Sequence, residues 1–382
     1  MNQLDSIHAD LLQRAERFPR SELPALTSIR ALLAWWVVAF HFLPRAPFHF
    51  DAAGALLSKG PLAVDCFFVL SGFVLCHVHP VIIGASRRFA VADFLVSRLA
   101  RIYPLHAVML MAFALVVFGF RLLHGTANGA FSDYTLPALA RQVFLLNGLL
   151  WFTDSGAWNV PSWSISSEWG AYLLAPLIFL GLSRSSHARL LILLAATACL
   201  TLLLVETHWI YRPGMGLPHV LLDFTVGAVI RTLLPLHLGW LRRIRGAGLW
   251  AGWMVSAVAA FSSHQGIMLL GMTWLMLMLA LRTRRAVGWP GRLERITIYL
   301  GETSFAVYMS HAFILMLWTS FAHSHFQHLP AAREAGLMLG LMVVIQAFAS
   351  LLHHTVERPA QKLIRRSFRR WQSGRSAEPA YG

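Results

Sequence analysis

Gly60-Pro61-Leu62-Ala63-Val64-Asp65-Cys66-Phe67-Phe68-Val69-Leu70-Ser71-Gly72-Phe73 is apolar but for Asp65 and Ser71, and the apolar run extends over 59–79. About 20 such residues, at about 1.5 Å each in a helix, cross roughly 30 Å of hydrocarbon. Runs of the same kind recur at 26–43, 101–120, 162–182, 189–205, 218–235, 247–262, 266–282, 299–322 and 334–357. They predict an all-α integral membrane protein, a bundle of about ten transmembrane helices. Composition agrees: 57% of residues are hydrophobic and 13% charged, where a soluble chain carries about 25% charged. Pro44, Pro80, Pro161, Pro218 and Pro359 fall at the ends of runs, where a missing N–H does least harm. The segment 136–150 is apolar but short, and reads as a re-entrant or interfacial helix.

The formal charge of +15 invites a nucleic-acid partner. The arginines, however, sit at the ends of apolar runs, where they set topology, so the expected partner is the lipid bilayer and not a nucleic acid. With the N-terminus in the cytoplasm, only Arg45, Lys59, Arg121, Arg141, Arg212 and Arg333 of the 32 Lys and Arg residues fall outside. Both termini are therefore expected to be cytoplasmic, with an even number of spans. Residues 1–25 form a polar N-terminal segment without the pattern of a cleavable signal, 26–357 the membrane domain, and 358–382 a basic tail. In that tail Lys362, Arg365, Arg366, Arg369 and Arg370 oppose Leu363, Phe368 and Trp371, which predicts an amphipathic helix on an anionic leaflet. Cys66, Cys76 and Cys199 all lie in apolar runs and lack the spacing of a zinc site or disulfide framework, so no metal is expected.

Ionisable groups inside a span cost several kcal/mol and ask for a partner or a function. Arg30 and His41 are eleven residues apart on the first span. At about 100° per residue they share a face, about 16 Å apart along the axis. They read either as a functional pair or as a snorkelling Arg and a hydrogen-bonded core His. Asp65 lies in the outer part of the second span. Ser71-Gly72 reads as a packing notch or as part of a donor site. Arg98 and Arg101 are neighbours on a helix at the cytoplasmic edge, and with Arg30 would make a guanidinium cluster suited to phosphate. Ser164, Glu168 and Tyr172 follow one face of the fourth span, flanked by Trp163 and Trp169. Tyr308 and His311 continue a polar stripe from Ser304 on the ninth, and Glu357 is placed as the partner of a cytoplasmic-side Arg. Counting residues from span ends puts His41, Asp65, Glu168 and His311 in the outer half and the arginines at the inner edge.

The sequence resembles the acyltransferase-3 family of bacterial membrane O-acyltransferases over about 22–365. The resemblance rests on Leu26-Thr27-Ser28-Ile29-Arg30-Ala31 with His41, Val64 to Phe73, Arg98-Leu99-Ala100-Arg101-Ile102-Tyr103-Pro104, Trp163 to Trp169, Ser304 to His311, and Glu357-Arg358-Pro359, in that order. Thr27-Ser28 stands where the family often has Asp-Gly, and Phe305 where it often has Tyr. The resemblance implies ten core spans in a bacterial inner membrane and acyl-CoA, commonly acetyl-CoA, as donor. It also implies a glycan or lipid-linked sugar hydroxyl as acceptor, and functional Arg30/His41 and Arg98/Arg101 pairs. On that footing Arg30, Arg98, Arg101, Ser71 and Gly72 are donor-binding candidates. His41, Glu168 and His311 are the catalytic candidates, and Asp65, Trp163, Ser164, Trp169, Tyr172 and Tyr308 would meet the acceptor. His41 acts as general base or as a covalent acyl carrier; Glu168 orients it or holds the acceptor.

A transporter or flippase is the alternative class, since intramembrane His and Glu also make proton relays. The inverted repeats and paired broken spans of transporters are not evident in the sequence. His323, His325 and His328 read as loop histidines. Trp151, Trp158, Trp163 and Trp169 read mostly as interface anchors, with one or two free to stack on a sugar ring.

Overall fold

A computed structural model describes residues 23–42, 51–79, 87–125, 131–149, 158–209, 212, 214–281, 291–322 and 330–376. Among the described residues the secondary structure is helical, without strands. The helices are α1 (Pro24–Phe42), α2 (Asp51–Leu57), α3 (Leu62–Val78), α4 (Arg87–His124), α5 (Leu136–Val143) and α6 (Ser162–Ser183). They continue as α7 (His187–Glu206), α8 (Gly216–Ala260), α9 (Gln265–Ala280), α10 (Arg292–Leu317), α11 (Ala331–Leu352) and α12 (Arg358–Ser376). Among the described residues, 7 helices are long and apolar enough to cross a membrane, and α3 and α9 are apolar but shorter. The chain divides into two compact units, Met1–Ile83 with Leu174–Phe305, and Gly84–Leu173 with Ala306–Gly382. The N-terminal segment, Trp151 and the loop histidines His323, His325 and His328 lie outside the described residues.

Exposure is inverted relative to a water-soluble protein. Leu122, Ile192, Val258 and Val343 present 87%, 69%, 66% and 69% of their surface. Asp65, His106, Asn159, Asp223 and His311 are fully buried. Apolar outside and polar inside is the arrangement hydrocarbon favours, because lipid solvates aliphatic side chains and offers no hydrogen bonds.

The residues expected to separate two spans near 236–246 are themselves helical, so those spans are the two arms of α8, with Pro235 inside. Leu- and Arg-rich sequence carries that stretch in helical form, despite Gly239 and Gly246. The short segment at 136–150 contains the helix α5, capped by the Thr135 side chain, which accepts from Ala138 N. The turn that follows is held by α6: Ser166 and Ser167 donate to Leu145 O and Gly148 O, and Asn147 Nδ2 donates to Ser162 Oγ at 2.9 Å. Trp158 is not an interface anchor. It is fully buried against Leu110, Phe113 and Val117, and its indole N–H donates to Thr135 O at 3.0 Å, so its polar atom is satisfied inside.

The first unit is organised by a close pairing of α3 with α8. A Cβ on Gly72 would sit 1.9 Å from Phe224 O, and one on Gly227 1.9 Å from Val69 O. Each glycine therefore admits the backbone of the other helix. Asp65 meets His219, and His77 meets Arg231, both across 154 residues of sequence. Equal offsets at two points mean that the helices run parallel.

Gly72→Val or Gly227→Val is expected to lower the melting temperature of the purified protein, by an overpacking cost of about 1–3 kcal/mol. Gly119→Ala, with no neighbour within 4 Å of its added Cβ, is expected to leave melting unchanged or raise it, since Ala exceeds Gly in helix propensity by about 1 kcal/mol.

Candidate functional site

In the first unit, α1 carries Arg30 and His41. Ala34 and Val37, which lie between them on the same face, are 0% and 3% exposed, so this is the interior face of the helix. The other face borders a cavity of about 1720 Å³ lined by residues including Trp35, Trp36, Trp253, Arg242 and Arg245; neither Arg30 nor His41 lines it. The His41 ring donates from Nδ1 to Val37 O at 3.0 Å. That bond fixes the tautomer and places the lone pair of the neutral ring on Nε2. Phe40 meets the ring edge-on at 5.2 Å, and Phe40 itself packs against Gly60, where a Cβ would have no room. A half-buried histidine with one defined basic nitrogen is equipped to accept a proton.

The sequence placed Asp65 with the acceptor. In the structure it is fully buried and accepts a hydrogen bond from His219 Nε2, and Asp223 lies 3.2 Å from the same nitrogen. Sequence reasoning missed His219 and Asp223. Their signal was present: two ionisable residues four apart on one face of an apolar helix. At the other end of the α3–α8 pair, Arg231 Nε donates to His77 Nδ1 at 3.0 Å. Gly72 is filled by the α8 backbone, and Ser71 is half-buried. Lys59, just before α3, donates to Ala259 O at 2.6 Å and Ser262 O at 2.5 Å, closing the end of α8. Burial pulls its ammonium below the usual pKa, while Glu206 acts in the opposite direction.

In the second unit the expected residues form one polar ladder. His311 donates from Nδ1 to Tyr308 O at 2.7 Å, which again leaves Nε2 as the basic nitrogen. Ser164 Oγ lies 2.8 Å from Tyr308 OH, and both hydroxyls are within hydrogen-bond distance of Pro161 O, at 2.9 Å and 3.4 Å, so either can donate to the other. Asn159 Nδ2 donates to Met309 O at 3.4 Å, tying the approach to α6 onto α10. One turn further along α6, the Tyr172 hydroxyl donates to Glu168 Oε1. Tyr172 packs edge-on against Phe94 of α4 at 6.3 Å, and Arg98, one turn on from Phe94, lies within electrostatic reach of Tyr172, Glu168, Arg101 and Arg365. Arg101 donates to Glu357 Oε1, whose other oxygen accepts from His353 Nδ1 at 2.9 Å. Trp163 and Trp169 are half-buried on α6.

Two outcomes differ from the sequence reading. Depth counting separated Glu168 from the arginines, whereas in the second unit Glu168 and Tyr172 lie within electrostatic range of Arg98. The tail was read as a surface helix, yet Arg365 of α12 is partly buried and joins the guanidinium cluster, with Asp93 as a nearby opposite charge. Glu357 has the Arg partner that was expected of it, and a π-helical turn over His353–Glu357 presents both His353 and Glu357.

The sequence profile described as Acyltransferase domain matches residues 23–352. The chain is 26% identical to the acyltransferase MdmB of Streptomyces mycarofaciens, over 90% of this chain and 93% of that protein. It is 28% identical to the putative peptidoglycan O-acetyltransferase YrhL of Bacillus subtilis, over 50% of this chain and 29% of the relative. It is 24% identical to the peptidoglycan O-acetyltransferase OatA of Listeria monocytogenes, over 44% of this chain and 26% of the relative. No solved structure matches the chain. Five of the six motifs fall within the matched residues, and a relative matched over nearly its whole length is named an acyltransferase: the chain belongs to the acyltransferase-3 family and is a membrane acyltransferase.

Proposed function

We propose that the enzyme moves an acyl group, acetyl in the first instance, from cytoplasmic acyl-CoA to a hydroxyl of a cell-surface or exported glycan in the bacterial inner membrane. The observation that carries this reading is the guanidinium cluster of Arg98, Arg101 and Arg365 running into the Glu168–Tyr172 pair. Planar guanidiniums bind phosphate oxygens in multidentate fashion, as the phosphates of a CoA donor require. Arg30 on α1 is assigned the same role. The names of the peptidoglycan O-acetyltransferases support a glycan acceptor.

His41 is the general base. Its Nε2 takes the proton of the acceptor hydroxyl as the oxygen attacks the thioester carbonyl. The tetrahedral intermediate collapses with cleavage of the C–S bond, and the imidazolium returns the proton to the departing CoA sulfur. An ester and free CoA are the products. In the second unit, Tyr308 and, in its protonated form, His311 are assigned to the developing oxyanion, and Glu168, with Ser164, Trp163, Trp169 and Tyr172, to the acceptor.

His41→Ala is expected to reduce acetyl-CoA-dependent CoA release by the purified protein by about 10²–10⁴-fold. Wild-type rates in that variant would remove the base assignment. Tyr308→Phe is expected to lower kcat by about 10²-fold with KM little changed, as loss of an oxyanion donor does.

The arginines separate binding from folding. Arg98→Gln is expected to raise KM for the acyl-CoA about 10-fold, the loss of a charge-assisted hydrogen bond of about 1.5–3 kcal/mol. Arg101→Gln should in addition destabilise the fold by about 3–5 kcal/mol, because it strands the buried Glu357 carboxylate. Adding Glu357→Gln should restore the melting temperature and leave KM raised.

A further inference from the structure

The geometry points to a divalent transition-metal site built from Asp65 of α3 and His219 and Asp223 of α8, outside the residues assigned to acyl transfer. One ligand atom from each lies within 4.8 Å of the other two, and all three residues are buried. An ion with bonds of about 2.0–2.2 Å spans ligand pairs of up to about 4.3 Å, so side-chain rotation alone closes the set.

Three further observations favour a cation. First, the oxygens are underused. Asp65 Oδ2 and Asp223 Oδ1 have no hydrogen-bond partner among the described residues, and Asp223 Oδ2 has only its 3.2 Å approach to His219 Nε2, although the side chains are 0% and 1% exposed. Carboxylate oxygens so placed cost several kcal/mol unless something replaces their water.

Second, a divalent ion balances the charge in one step, where protons would have to be taken up by both the imidazole and a carboxylate. Two carboxylates around a neutral imidazole carry two negative charges, and protonation of His219 cancels only one. A divalent ion cancels both.

Third, the frame is rigid. The contacts at Gly72 and Gly227 fix α3 against α8, and the ring of Phe68 stands edge-on to the His219 ring at 5.6 Å and 89°. A preformed, dry set of one imidazole and two carboxylates suits zinc or manganese. Calcium and magnesium favour all-oxygen sites, and copper(I) favours sulfur. The ion would join the two helices at one end, as the Arg231–His77 bond joins them at the other.

The test uses the full-length protein in detergent, stripped with a chelator, freed of any affinity tag and titrated with Zn²⁺. The expected result is saturable uptake of about one ion per chain. Uptake should raise the melting temperature of the wild type, and Asp223→Asn and His219→Gln should each weaken it at least 10-fold. Zinc K-edge absorption on the loaded wild type should read one imidazole with oxygen ligands and no sulfur, and this arm does not depend on the variants folding. The proposal is overturned if the wild type takes up no zinc and its melting does not move, which would leave a proton shared between the carboxylates. Uptake unchanged in both variants, or a sulfur-containing ligand set, would overturn it as well by placing the ion elsewhere.

Discussion

Hydrocarbon offers a buried donor or acceptor nothing to bond with, so each polar side chain on these helices has to find its partner within the chain. Both units are arranged by that requirement. In the first, α3 and α8 carry polar groups at both ends, Asp65 with His219 and His77 with Arg231, and between them Gly72 and Gly227 each admit the other helix's backbone. Tetherings at two points and a backbone contact in the middle define register as well as distance. A slip of one turn along either helix would break both polar pairs at once and push Gly72 away from Phe224 O.

The same requirement builds the second unit's ladder. Glu168 is held by Tyr172, and Tyr308 by Ser164, so the two groups assigned to chemistry are oriented before any substrate arrives. Orientation in advance is what makes a donor or carboxylate effective, because no reorganisation has to accompany the reaction. The serines of the same motif have a different task. Ser166 and Ser167 hold the turn after α5, in which Leu145 adopts a φ of 55°. One motif thus serves the site with one face and the fold with another.

What the sequence made legible follows from distance along the chain. Helices and the faces shared by Ser164, Glu168 and Tyr172 are local properties, set by a period of about 3.6 residues, and they could be read directly. The partner of Glu357 was legible as a type, an Arg at the same edge, because an intramembrane carboxylate demands one. His219 was not connected to Asp65, since 154 residues separate them and no local pattern links α3 to α8. Depth counting did not bring out the proximity of Glu168 to Arg98, for a related reason. It assigns each residue a height on its own span, whereas Arg98 and Tyr172 have long side chains that bring groups on different helices within reach of one another. Trp158 was misread because an indole beside a span end resembles an anchor until its neighbours are known.

The Arg101–Glu357 pair sets a structural role against a binding role, and the chemistry of the two groups reconciles them. Arg98, Arg101 and Arg365 repel one another, and a cluster of that kind needs a fixed negative charge to stay assembled when no phosphate is bound. Glu357 supplies that charge. It sits on a π-helical turn, is 1% exposed, and gives its second oxygen to His353, so it cannot swing away. A guanidinium has five N–H donors in a planar fork, and one carboxylate oxygen cannot use them all. In the proposed role, Arg101 keeps its bond to Glu357 while the same planar fork also engages a phosphate. A lysine in its place would have to choose, because its point charge lacks a second edge.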